Sequence, residues 1–394
     1  MYPRSVKLGA FVLEGLNALA LTFYFFYFYF YTKEKFGFTD LHNLLLAAFG
    51  GFIYMVAAIY GGRYGQRKGY FAALKVGYVL MPVSLFAGST LPGLPAQLTV
   101  MGVCTFGMCF TWPNLEAIVS EHESPARLQR MIGIYNLVWA GCMAVAYFSG
   151  GAMVERFGFQ SIFLVPGGIT VCQLLLTVWL ERKSHAAAQA QEIIQPVTAT
   201  GEPALNPRPI ARVKAFLKMA WLANPFAYVA VNALLPVIPG VANKLNLGTK
   251  LAGFVCSIWF FARVAAFVVL WLWPGWHYRF GWLAVSYAAM VVSFAAILLA
   301  PVLWVLIAAQ IVFGCAIGLI YYSSLYYSMD VGTETKGEHG GIHEAAIGGG
   351  NCAGPLLGAM GLWLFPASLH SGTWVVTALL ACGFGGLVWL GRRK

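Results

Sequence analysis

The chain has 394 residues, 60% of them hydrophobic and only 10% charged, with a formal net charge of +11. Soluble domains are about 25% charged, so this composition excludes a soluble globular enzyme, a disordered chain and a disulfide-stapled secreted domain. The 25 basic residues form no cluster longer than three, which excludes a nucleic-acid partner and fits the basic loops of a membrane protein.

A helix that crosses a bilayer needs about 20 mostly apolar residues. In chain order such runs lie at 8–31, 42–61, 70–90, 96–119, 131–153 and 160–180, then at 216–241, 251–273, 281–299, 302–329, 341–365 and 372–391. They predict an all-α integral membrane protein of twelve transmembrane helices. Several runs contain proline (Pro82, Pro113, Pro225, Pro236, Pro355), which spanning helices tolerate because neighbours satisfy the freed backbone groups.

The longest polar stretch, 181–215, is rich in Ala, Gln, Pro and charge and has no sustained apolar face. It is expected to be a cytosolic linker between an N-terminal six-helix bundle (1–180) and a C-terminal one (216–394). If the N-terminus is cytosolic, 18 Lys and Arg residues fall on the cytosolic side and five on the other. That bias predicts both termini inside. Lys75 in the third run is expected to snorkel to the cytosolic surface.

The two bundles carry traces of duplication. KFGFTDL (35–41) resembles KLNLGTK (244–250), and GIYNLVWAG (133–141) lines up with GIHEAAIGG (341–349). Each pair falls at equivalent places, after the first and at the fifth run of its half, as in transporters built from parallel repeats.

Three further segments carry a family resemblance along essentially the whole chain. AIYGGRYGQRK (58–68) resembles the G-x-L-A-D-R-x-G-R-K loop between the second and third spans of the major facilitator superfamily (MFS), with Arg63, Gly65 and Arg67 matching and Ala58 and Gly62 standing where the family has Gly and Asp. GGAMVERFGFQSIF (150–163) resembles the family's turn between the fifth and sixth spans, and GGGNCAGPLLGAMG (348–361) resembles a Gly-Pro motif the family often carries. The resemblance implies the MFS fold, alternating access between two bundles, and a cytosolic gate involving Arg63, Gly65 and Arg67. It also implies that spans three, six, nine and twelve stand outside a central cavity.

Polar groups inside a membrane are costly, so their placement is informative. Glu14, Asn17, Asn114, Glu116, Asn136, Asn224, Asn232, Arg263, His343, Glu344 and Asn351 all lie inside the spans, whereas spans three, six, nine and twelve contain no internal Asn, Asp, Glu or Arg. Glu14, Asn17, Tyr24, Tyr27 and Tyr31 share one helix face. Asn224, Tyr228 and Asn232 share another, as do His343, Ile347 and Asn351, and as do Tyr322 and Tyr326. These stripes are candidates to line a substrate path; interhelical hydrogen bonding is the alternative reading. The nine consecutive aromatics at 23–31 ring the first helix, so only part of them can face a cavity.

Arg263, in SIWFFARVAAF near the middle of the eighth run, keeps its proton and needs a partner. That partner is either an anionic substrate, held bidentately, or an internal carboxylate such as Glu14. Glu14, and the neighbours His343 and Glu344, are the candidates for proton coupling. Glu116 is a candidate for the cytosolic gate with the basic loop residues.

No metalloprotease, P-loop or serine-hydrolase motif is present, and the eight cysteines lie in apolar stretches without metal-ligand spacing. No enzyme activity, cofactor or metal is expected. The expectation is a monomeric secondary transporter in the inner membrane of a cell, moving a small organic solute, with an organic anion favoured and protons as a candidate coupling ion. Its substrate-binding residues would be Arg263, Asn17, Tyr24, Tyr27, Asn114, Asn136, Tyr228, Asn232, Tyr322, Tyr326 and Asn351. An exporter of aromatic or amphipathic compounds and a lipid flippase are the alternatives.

Overall fold

A computed structural model describes residues 2–121, 125–192, 210–331 and 336–392. Twelve helical spans follow one another: α1 (Arg4–Phe36), α2 (Asp40–Lys68), α3 (Tyr70–Thr90), α4 (Leu94–Ser120), α5 (Pro125–Phe157), α6 (Ser161–Glu192), α7 (Arg212–Lys244), α8 (Thr249–Leu272), α9 (Phe280–Leu299), α10 (Leu303–Val331), α11 (Lys336–Leu364) and α12 (Ser371–Arg392). Among the described residues there is no strand. Helices satisfy their own backbone groups, which a bilayer core demands.

Eleven of these spans are long and apolar enough to cross a membrane. The twelfth, α11, differs by composition: charged and His residues occupy its first turns, and six glycines with Asn351 dilute the apolar remainder. It still packs lengthwise against α2 and α7. The predicted runs therefore fall on the observed helices, although several helices extend beyond the apolar stretch. α6 continues to Glu192, inside the expected linker, because ERKSHAAAQA consists largely of good helix formers. Residues 193–209 of that linker lie outside the described residues.

Local sequence sets the joints. Gly37, at φ 66°, ends α1 in the left-handed conformation, and its N–H bonds back to the carbonyls of Lys33 and Thr32. Thr39 then opens α2, with its backbone N–H and side chain both engaged by His42. Three spans are interrupted along their lengths. α4 tightens before Trp112, where Phe110 N–H bonds to Gly107 O (3.0 Å) and Thr111 N–H to Met108 O (2.9 Å). α7 passes through a 3₁₀ turn at Leu235–Val237, which contains Pro236. α8 is broken at Ser257.

α3 packs with α6, and α9 with α12, on the outside of the bundle. The first six spans meet the last six chiefly along α2–α11 and α5–α8. Gly51 of α2 rests directly on the backbone of Asn351 and Cys352 in α11, so no side chain fits there. At the end of the bundle opposite the N-terminus, Gly151 of α5 abuts the backbone of Thr249 and Lys250 at the start of α8. There too Gly240 of α7 abuts the carboxylate of Asp40.

Polar side chains tie the helices together within each half. Gln173 of α6 donates to Leu13 O of α1 at 2.9 Å. Lys75 does not simply reach for water: it pairs with Glu181 of α6 at 2.8 Å, with the two side chains 38% and 21% exposed.

Candidate functional site

A cavity that opens to solvent, about 1100 Å³ with that open space counted, lies between the two sets of six spans. Its walls come from α1, α2, α4, α5, α7, α8, α10 and α11, and among the described residues no lining residue belongs to α3, α6, α9 or α12. Its surface is mostly apolar, with a few convergent charged groups, as is usual for a small-molecule site.

One end of the site is built on Arg263. The break at Ser257 starts a new helix whose Trp259 and Arg263, four residues apart, share a face. The guanidinium carbon lies 4.5 Å from the ring centre of Trp139 on α5 and 5.2 Å from those of Trp259 and Phe260. One terminal nitrogen lies 3.6 Å from the Sδ of Met143. Arg263 is buried and its Nε has no hydrogen-bond partner. Among the described residues it pairs with no carboxylate. Ring faces attract a guanidinium by about 0.5–2 kcal/mol each, depending on desolvation. They do not neutralise it, so its charge remains available to the cavity.

The other polar groups are carboxyls. Glu14 of α1, fully buried, accepts from Tyr135 Oη (2.7 Å) and Trp112 Nε1 (3.1 Å). Glu344 of α11 accepts from Tyr54 Oη across the α2–α11 seam. Glu116 of α4 is half-buried, lines the cavity and, among the described residues, has no hydrogen bond or ion pair. The pairing with basic loop residues expected of it at a cytosolic gate is not formed among the described residues. The Glu14–Arg263 pair weighed from the sequence is not formed, because both Glu14 oxygens are taken by Tyr135 and Trp112.

Of the eleven expected substrate-binding residues, Arg263, Tyr228, Asn232 and Asn351 line the cavity. Asn232 donates to Asn351 Oδ1 at 2.6 Å, which joins α7 to α11 at the wall. The others lie elsewhere. Asn17 donates to Thr111 Oγ1 (3.1 Å) and Asn114 to Gly61 O (3.3 Å) and Phe110 O (3.0 Å). The bonds to Thr111 and Gly61 are helix-to-helix ties of the kind amides make in membranes. Asn136 is buried off the cavity. Tyr24 packs on Phe28 and Phe163, and Tyr27 donates to Tyr147 O at 2.5 Å. Tyr322 lies against Phe267 and Trp276, and Tyr326 stacks on His277 with ring centres 4.1 Å apart.

Arg63 and Arg67 are exposed near the C-terminal end of α2, and Gly65 there is the floor on which the Asn114 amide sits. The side chain of His343 lies outside the described residues.

Sequence reasoning missed the residues that give the site its shape. Trp139 and Trp259 frame the arginine, Tyr54, Trp112 and Tyr135 hold the carboxyls, and Phe25, Phe26 and Tyr29 supply the α1 wall. Only Trp259 had a usable signal, its spacing of four from Arg263. Among the described residues no group of three His, Cys, Asp or Glu is placed to hold a metal.

The geometry has counterparts. A model of the Major Facilitator Superfamily matches residues 10–355. No curated protein matches the chain by sequence. Among solved structures, a bacterial homologue of the human lysosomal transporter Spinster, inward-facing and occupied, is 13% identical with a TM-score of 0.70, covering 99% of this chain and 97% of that one. The human organic anion transporter MFSD10 (TETRAN) is 14% identical with a TM-score of 0.65, covering 98% and 100%. The nucleoside transporter NupG is 13% identical with a TM-score of 0.66, covering 98% of each chain. At these identities the likeness is one of fold.

Proposed function

The chain belongs to the Major Facilitator Superfamily, and from that membership we propose that this multi-pass membrane transporter carries a small organic solute with an acidic group through the central cavity. The observation that carries the reading is Arg263: a buried cation on the cavity wall, flanked by aromatic rings and paired with no carboxylate among the described residues. A guanidinium in that setting binds a carboxylate or phosphate bidentately while the rings pack the rest of the solute.

Transport would proceed by alternating access. The six spans of 1–180 and the six of 216–394 rock about the cavity, joined by 181–215. The contacts of Gly151 with Thr249 and Lys250, and of Gly240 with Asp40, would separate in that motion. Proton coupling would run through the cavity carboxyls, Glu14 first and Glu344 second, because each is buried and held by a phenol that can pass a hydrogen bond. The setting would be a cell membrane, with the protein working as a monomer.

A second reading, export of aromatic or amphipathic compounds with Arg263 structural, is supported by the aromatic wall of Phe25, Phe26, Tyr29 and Trp112. The two part in a thermal-shift screen of carboxylates, phosphate esters, neutral sugars and aromatic cations on wild type and Arg263→Ala. The anion reading expects one anion class to stabilise the wild type and not the variant. Stabilisation by aromatic cations alone, equal in both proteins, would overturn it and leave export.

A further inference from the structure

We infer that the transported solute is zwitterionic, with its acidic group on Arg263 and a basic nitrogen on Glu116 and Glu344. This rests on Arg263 being the anion ligand, as read above.

The cavity holds an unpaired guanidinium and carboxyl groups with spare bonding capacity. Arg263 reaches it with no carboxylate partner and an unbonded Nε. Glu116 reaches it with no protein donor among the described residues, and Glu344 has one, Tyr54. Arg263 and Glu116 belong to different halves of the bundle, α8 and α4, and they do not pair. Tyr228 and Tyr321 line the same cavity, with ring centres 6.2 Å apart. Both tyrosines lie within electrostatic reach of Arg263 and also of Glu116 and Glu344.

A buried guanidinium without an anion and a carboxyl group without a donor are each costly to leave unpaired. A solute bearing both complementary groups bridges them at once. A plain organic acid satisfies Arg263 but brings its charge beside carboxyl groups it cannot use. A plain amine satisfies Glu116 but leaves Arg263 unbridged. Specificity by that double mismatch is strong, because each wrong ligand leaves a buried polar group unpaired. Phe25, Phe26, Tyr29 and Trp112 on the cavity wall favour a flat or apolar body for the solute.

The test uses the full-length protein in lipid nanodiscs and calorimetric titration with matched sets of three. One set shares an indole body: tryptophan, its deaminated acid indole-3-propionate, and its decarboxylated amine tryptamine. The second shares an aliphatic body: 4-aminobutyrate, butyrate and butylamine. The expected result is that one zwitterion binds at least about tenfold more tightly than its own acid and amine, a difference of about 1.4 kcal/mol. Glu116→Gln should reduce that zwitterion to the affinity of the acid and leave the acid unchanged. Glu344→Gln serves as a second variant, with a smaller loss because Tyr54 already shares that carboxyl. Binding of an acid as tight as its zwitterion, lost in Arg263→Gln but unchanged in Glu116→Gln, would overturn the zwitterion and keep Arg263 as an anion site. Binding indifferent to Arg263→Gln, or no binding by either zwitterion, would overturn both.

Discussion

Arg263 and Trp139 come from opposite halves of the bundle, yet the guanidinium lies 4.5 Å from the centre of the indole ring. The contact ties the charged end of the cavity together across the α5–α8 seam. A cation–π contact in a desolvated place contributes about 0.5–2 kcal/mol. Trp139→Leu should therefore weaken solute binding by about three- to thirtyfold, and Trp139→Phe by less. Titration of the same ligand into the three proteins checks this; equal affinities would mean the indole is only a spacer.

Arginine and lysine are not equivalent here. Arg263→Lys keeps the charge but loses the planar fork and its stacking on Trp139 and Trp259. Uptake into proteoliposomes should fall by about tenfold or more, mostly through the apparent affinity, as expected when one charge-assisted hydrogen bond of about 1.5–3 kcal/mol is lost. A lysine variant with unchanged affinity would show that only the point charge is used.

Glu14 sits at the meeting of α1, α4 and α5, held by Trp112 and Tyr135. Glu14→Gln preserves shape and abolishes titration. Solute exchange at equal pH should persist, while accumulation driven by a pH gradient should vanish. Gradient-driven accumulation at the wild-type level would remove Glu14 from the coupling step and turn attention to Glu344.

Tyr54 and Glu344 form a hydrogen bond that joins α2 to α11. Loss of a buried hydrogen bond costs about 1 kcal/mol, so Tyr54→Phe should lower the melting temperature modestly. In a double-mutant cycle with Glu344→Gln the losses should be less than additive, because each variant breaks the same bond. By contrast, the partly exposed Lys75–Glu181 pair should contribute about 0–1 kcal/mol. Lys75→Met should leave the melting temperature nearly unchanged.

Gly151 lies against the backbone of Thr249 and Lys250, at the end of the bundle opposite the N-terminus. Gly151→Leu cannot be accommodated without separating α5 from α8 there. Transport should drop, and the buried Cys256 beneath the seam should become reactive toward a membrane-impermeant maleimide, read by mass spectrometry of the labelled peptide. Unchanged reactivity would mean that the seam yields elsewhere.

The number and order of the spans were legible from apolar runs because a bilayer imposes one strong rule on length. The aromatic run of α1 illustrates what was not legible. Tyr24, Tyr27 and Tyr31 were picked for their hydroxyls, but that face packs against Tyr147 of α5, Phe163 of α6 and Phe159 in the turn between them. The opposite face, carrying Phe25, Phe26 and Tyr29, is the one that meets the cavity. Periodicity groups residues into faces and does not say which face looks inward. The same ambiguity put Tyr322 and Tyr326 forward where the cavity takes Tyr321. Arg263 was legible because no lipid-facing or packing role explains an arginine at mid-span. The asparagines divided: Asn232 and Asn351 reached the wall, while Asn17 and Asn114 became ties between helices. An amide is equally suited to both tasks.

The interruptions in α4, α7 and α8 bear on how such a bundle can move. Each falls beside a cavity residue: Met108 and Trp112 flank the first, Leu235 lies within the second, and Trp259 follows the third. A helix bends most cheaply where its ladder of hydrogen bonds is already irregular. Each of these three rods is thus jointed at the depth of the cargo. One segment can tilt while the other keeps its packing, so the passage can be reshaped by flexing three staves and need not slide whole bundles past one another.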